Sequence, residues 1–205
     1  MPLYFSVSTN TMDIPSVRYT EVLKKVLDYA KAVLQIQVID TSDLDPYFKG
    51  DLDGMRIWIA SALEDDEELF NVVHLIGHSV QWNVSDKLRA LGSVLHEKPN
   101  DELLHQLQEY EWEANCYGLY ILHTLEVYDL DQWLAEKYRV DMFYLTHYYK
   151  TGEKLKEITD ISLAYPFTWP LVEKKIPLFV PRANPETRRG IVIDFTDSVK
   201  KSRNN

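Results

Sequence analysis

Apolar residues recur every three or four positions at Val17, Val22, Leu23, Val26, Leu27, Ala30 and Val33. That spacing lays one stripe along an α-helix. Pro15 and Ser16 open it, since proline suits a helix start but not its interior. The period then falls to two in LQIQVID (34–40) and MRIWIA (55–60), which read as strands. YFSVS (4–8) alternates more weakly and reads as a further strand, and the stretch between, DTSDLDPYFKGDLDG, is rich in turn formers. The acidic run EDDEE (64–68) opens the next helix, where carboxylates meet the positive end of the helix dipole. That helix carries VVHLIGHSVQW (72–82) and is expected to end near Asn83.

The stretch SDKLRALGSVLHEKPN (85–100) is variable in character and breaks at Pro99 and Asn100. Residues 101 to about 126 have helical spacing, and 129–152 read as two short helices joined near Arg139–Asp141. Beyond Lys156 the chain changes. Five of its nine prolines lie between Pro166 and Pro185, so an extended segment wrapped on the rest is expected there. RRGIVIDF (188–195) reads as a late strand and VKKSRNN as a frayed, basic, flexible end. No internal repeat or low-complexity tract is present.

Composition narrows the function classes. The chain has 205 residues, 45% hydrophobic and 26% charged, enough for one sizeable core. A formal net charge of -10 argues against direct nucleic-acid binding and against anionic membranes. Cys116 is the single cysteine, so no internal disulfide forms and a cytoplasmic location is expected. The N-terminus has no signal-like run, and no stretch approaches 18 apolar residues.

His74 and His78 are the first candidate chemistry. Residues four apart in a helix lie roughly 40° apart around it and about 6 Å along it. Two imidazoles so placed can share one zinc ion. The spacing alone is weak, but Gly77 between them suggests close packing against the helix backbone. A third ligand is expected from EYEWEANCYGLYIL (109–122), where Glu111 and Asn115 share a face. Glu111 is the carboxylate ligand and Asn115 a hydrogen-bonding support for a ligand histidine. The bland alternative is a solvated acidic face. His96, His105, His123 and His147 show no comparable spacing and read as surface or core. Phe143, Tyr144, Tyr148 and Tyr149 read as core rather than groove, and Cys116 as a small buried residue.

The motifs HLIGH (74–78) and EWEANCYG (111–118) together resemble the ImmA/IrrE family of zinc peptidases, with its HExxH helix followed by an ExxAN/DxFA helix. Glu111, Ala114, Asn115, Tyr117 and Gly118 take the patterned positions, and Gly54, the strand MRIWIA and Phe70 also fall where the family has glycine, strand and aromatic. The resemblance spans roughly residues 16–150. It implies an α+β, zincin-like fold, mostly helical with a small mixed sheet, in which the HxxxH helix packs on the helix carrying ExxAN. A domain is expected over 1–156, with 129–152 similar to the helix-turn-helix-like pair that often follows in the family; the proline-rich extension over 157–205, expected to pack on it, is not explained by the resemblance. The resemblance also implies zinc held by His74, His78 and Glu111, with Asn115 behind them, and a helix-turn-helix regulator as partner or substrate.

The family's catalytic glutamate falls on Leu75. Residue 75 lies roughly 60° around the helix from His78, toward the metal side. Leucine moves no proton, and a positioned acid–base group contributes about 10²–10⁴-fold to such chemistry. Glu67 and Glu68 lie about two turns back, out of reach. Ser79 is a poor substitute, and a glutamate of the 101–113 helix is the remaining stand-in. Three readings follow: a metal-binding but non-catalytic regulatory protein that binds a protein or peptide, an active metallopeptidase with an unusual base, and a metal-free interaction domain.

Overall fold

The computed structural model describes residues 14–44, 49–94, 98–153 and 169–184. The strands expected at 4–8 and 188–195, and the basic end, lie outside them. Helix α1 (Ser16–Tyr29) buries Val22, Leu23 and Val26, as its stripe requires. It widens into a π-turn over Ala30–Leu34 and stops where Gln35 adopts φ 56°. The strand expected from Leu34 therefore starts later, as β1 (Gln37–Thr41).

β2 (Gly50–Leu52) and β3 (Arg56–Ala60) complete a mixed sheet in the order β1–β3–β2, with β1 parallel and β2 antiparallel to β3. The β2–β3 turn is fixed by Asp53, whose carboxylate accepts from the backbone N–H of Met55 (2.9 Å) and Arg56 (2.7 Å) and from Arg56 Nε (2.8 Å). Gly54 sits there at φ +93°, where a side chain would be strained.

Helix α2 (Asp65–Val84) is the centre of the fold, packed between α1, the sheet and α4. Asp65, Asp66, Glu67 and Glu68 occupy its first turn, and every residue from Leu69 to Trp82 is buried. A helix buried all round has no solvent face on which to place ordinary polar residues. Its histidines, Ser79 and Gln81 are therefore interior groups. α3 (Asp86–Gly92) is capped by Ser85, and α4 (Asp101–Thr124) by Asn100, each side chain accepting a backbone N–H of the first turn.

Residues Asp131–Thr151 form one continuous helix, α5, which corrects the expected pair of short helices. Val140 and Asp141 are mediocre helix formers, but Arg139 is a good one and nothing here breaks a helix as proline would. Packing decides: Tyr138, Met142, Tyr144 and Leu145 are buried. Lys137 pairs with Asp66 of α2 at 2.6 Å, and Gln108 of α4 donates to Thr146 Oγ1 at 3.1 Å, so α5 lies against both motif helices.

Residues 169–184 run without helix or strand along the outside of α4 to the end of α2. Leu171, Ile176 and Phe179 pack on the core. Trp112 Nε1 donates to the Pro170 carbonyl (3.1 Å), Arg182 N to Asn83 Oδ1 (2.8 Å) and Asn184 N to the Asp53 carbonyl (2.7 Å). Among the described residues no helix is long and apolar enough to cross a membrane.

Candidate metal centre

α2 and α4 cross in backbone contact. A Cβ on Gly77 would lie 2.2 Å from the Ala114 carbonyl oxygen, and one on Gly118 would lie 2.6 Å from Val73 Cγ1. The glycine between the histidines is thus a packing requirement, and it brings the two motifs together.

His74 Nε2, His78 Nε2 and Glu111 Oε2 form a triangle. The two nitrogens are 3.0 Å apart, His78 Nε2 is 3.1 Å from the carboxylate oxygen, and His74 Nε2 is 3.2 Å from it. All three residues are buried, and among the described residues they form the one group of ligand-type side chains close enough to hold a metal ion. Tetrahedral zinc with arms of about 2.0–2.1 Å needs ligand atoms roughly 3.3–3.4 Å apart. The triangle therefore fits one face of such a site after opening by a few tenths of an ångström. Rings confine both imidazoles: Phe70 stacks on His74 at 5.6 Å and Tyr110 on His78 at 4.4 Å.

The proton placements bear on the fit. His78 Nδ1 lies 2.8 Å from Gln81 Oε1, while Gln81 Nε2 donates to the Tyr110 carbonyl and to Glu113 Oε2, each at 2.8 Å. Both amide hydrogens are committed, so Oε1 accepts from Nδ1–H and Nε2 of His78 keeps its lone pair. Asn115 Nδ2 donates to the Glu111 carbonyl (2.9 Å) and faces His74 Nδ1 (3.1 Å), and Asn115 Oδ1 is buried without a hydrogen-bond partner among the described residues. This orientation puts the His74 proton on Nε2, toward Glu111. Turning the amide would let Oδ1 accept from Nδ1–H and free Nε2 for a metal. The donor set of two imidazoles and a carboxylate is one that zinc takes.

Burial alone would push the Glu111 carboxyl up. Contact with the His78 and His74 imidazoles, His74 donating from Nε2, outweighs it and holds the group well below the usual carboxylate range. Glu111 is therefore ionised, as a ligand must be.

Leu75 is fully buried and belongs to the hydrophobic core. Its Cδ1 occupies the space where a Cβ on Gly50 of β2 would be, 2.5 Å away. Ser79 is buried within α2. Of the α4 glutamates, Glu113 is tied to Gln81 and to the Lys174 ammonium, and Glu109 pairs with His105 at 3.6 Å. A further carboxyl that feels the charges of the centre was not apparent from sequence. It is Asp141 on α5, which interacts electrostatically with His74, Glu111 and Lys49 and is pushed up to about 6 by burial. Near it, Tyr138 is buried, and its hydroxyl has no hydrogen-bond partner among the described residues. Gln81 and Glu113 were missed too, although Gln81 is one helical turn beyond His78.

His123 is more than a surface residue. Nδ1 lies 2.6 Å from Glu173 Oε1 and Nε2 2.8 Å from Asp131 Oδ1, joining α4, α5 and the C-terminal strap. Cys116 is a buried free thiol, pushed up chiefly by burial.

Comparison with protein-family models, with curated proteins and with solved structures finds no match to this chain. The class of site is accordingly read from geometry: a mostly helical fold with a small mixed sheet, holding a buried His–His–Glu cluster of the zincin kind.

Proposed function

We propose that this chain is an ImmA/IrrE-like protein that binds a divalent metal, zinc best of all, through His74, His78 and Glu111, and acts by binding rather than by ordinary peptide cleavage. The carrying observation is the buried triangle of ligand atoms with edges of 3.0, 3.1 and 3.2 Å. A bound ion there supplies Lewis acidity and a fixed positive charge. Around it, Gln81 and Asn115 set the imidazole protons, while Phe70 and Tyr110 hold the rings. Leu75 supports the non-catalytic side of the reading, because it is core-packed on β2 and carries no proton. The partner suggested by the motifs is a protein or peptide, a helix-turn-helix regulator first among them, in the cytoplasm.

One observation favours a second reading, hydrolysis with a different base. Asp141 interacts electrostatically with His74 and Glu111 and is pushed up to about 6, within the range suited to a general base near neutral pH.

The first test is metal content of untagged protein by elemental mass spectrometry, beside His74→Ala/His78→Ala. Near one zinc per chain, lost in the double variant, supports the proposal. No metal in either, even after incubation with zinc, refutes it and leaves a metal-free interaction domain. Zinc-dependent peptide cleavage abolished by Asp141→Asn would transfer the conclusion to the second reading.

A further inference from the structure

His78 is held from behind by a line of polar contacts that ends on the C-terminal strap. Gln81 is fully buried, so its amide depends on protein partners alone. The Tyr110 carbonyl takes one of its hydrogens and Glu113 Oε2 the other. The second oxygen of Glu113 pairs with the Lys174 ammonium. Lys174 is itself placed by its backbone N–H, which donates to the Cys116 carbonyl (3.4 Å), and by the Tyr117 ring, whose centroid lies 5.6 Å from Nζ.

The chain of contacts has a chemical direction. A carboxylate only accepts, so Glu113 can meet only the NH₂ side of Gln81. That forces the amide oxygen toward His78 Nδ1 and leaves the lone pair on Nε2. If Glu113 swings to solvent, the Tyr110 carbonyl alone opposes turning the amide, and both orientations become populated. The turned amide would then place NH₂ against Nδ1 and drive the imidazole proton onto Nε2, the atom that faces His74 and Glu111.

We propose that Glu113 and Lys174 are positioning residues for His78: the ion pair between α4 and the strap fixes the proton on Nδ1 and so keeps Nε2 available to a metal. The consequence for metal rests on the proposed function, while the effect on the imidazole does not. The strap between residues 169 and 184 thereby becomes part of the metal centre's support at one remove, through Lys174, Glu113 and Gln81.

The test uses the full chain and two readouts. The first is the His78 tautomer in metal-free protein, from long-range ¹H–¹⁵N correlation of the imidazole. The second is the zinc dissociation constant, by competition with a chromophoric chelator. Wild type, Glu113→Ala, Lys174→Met, Lys174→Arg and a control at the neighbouring exposed Lys175, Lys175→Met, are compared. Wild type is expected to hold the Nδ1–H tautomer. Glu113→Ala and Lys174→Met are expected to show mixed tautomers and to bind zinc about tenfold more weakly, the lower end for loss of a group supporting a metal ligand. Lys174→Arg restores both and Lys175→Met changes neither. Unchanged tautomer and affinity in folded Glu113→Ala and Lys174→Met would overturn the proposal, since a purely structural ion pair lowers stability and leaves the imidazole as it was. If wild type takes up no zinc while the tautomer still follows Glu113 and Lys174, the support holds and the metal-binding reading falls.

Discussion

Gly77→Ala isolates the helix crossing from the ligands. On helix propensity alone the change should stabilise α2 by about 1 kcal/mol. The structure reverses that sign. The new Cβ would sit 2.2 Å from Ala114 O, 2.7 Å from its carbonyl carbon and 2.8 Å from its Cα. These are backbone atoms of a helix buried on that face, so no side chain can rotate away. Restoring ordinary contact requires the helices to part by about 1 Å, and overpacking of this kind costs roughly 1–3 kcal/mol. After the propensity gain, a net loss of up to about 2 kcal/mol remains. The same movement carries Glu111 away from both histidines and widens two edges of the triangle, now 3.1 and 3.2 Å, to about 4 Å, beyond what zinc arms of 2.0–2.1 Å span. Urea denaturation followed by circular dichroism measures the first effect and chelator competition the second. A variant as stable as wild type, with unchanged zinc affinity, would show that α2 and α4 are not in backbone contact.

Three further outcomes are expected. Leu75→Glu places a carboxylate in the core beside Gly50 and lowers stability in urea denaturation by about 2–4 kcal/mol, whereas Leu75→Met, which conserves volume, costs less than about 1.5 kcal/mol; equal stabilities would place residue 75 outside the core. For His123, burial pushes the imidazole down, but hydrogen bonds to Glu173 and Asp131 prevail and raise it, so its contribution is complete below the unfolded pKa of about 6.5 and disappears as pH rises through the folded value. The stability gap between wild type and Glu173→Gln should therefore narrow from pH 6 to pH 9, and a gap independent of pH would refute the pairing. Asp141 is raised, so ionising it opposes folding: Asp141→Asn should stabilise metal-free protein at pH 7.5 by on the order of 1–2 kcal/mol, with the gain fading through about 6 and gone below about 4. Denaturation at pH 3.5, 5 and 7.5 checks it, and a gain that persists at pH 3.5 would mean that the carboxyl is not the cause.

Much of this architecture is written in local periodicity. α1, α2, α4, β1 and β3 appear close to where spacing and alternation put them, because each presents a face long enough to be counted. β2 spans only Gly50–Leu52, too short for any period to register, and exists because β3 pairs with it. α3 had a legible cap in Ser85, but Leu88 and Leu91 are only half-buried, so its apolar signal is faint. Nothing local marks α5 as one helix across Arg139–Asp141, and contacts with α2 and α4 carry it through. His74, His78, Glu111 and Asn115 could be marked by spacing and motif. Asp141, Glu113 and Lys174 reach the centre only through packing between elements distant in sequence, which no local pattern encodes.

The crossing also has an arithmetic of its own. Taking Gly77 and Ala114 as origin on each helix, the site residues fall at the same two offsets: His74 and Glu111 three positions before, His78 and Asn115 one position after. Two helices of unrelated sequence thus contribute matched pairs about a shared point, a pseudo-twofold cross. A slip of either helix by one residue would rotate its pair by roughly 100° and scatter all four groups. The informative signature in a distant chain is accordingly not the histidine pair alone, but HxxGH answered by ExxAN, with the small residue in each serving as the registration mark.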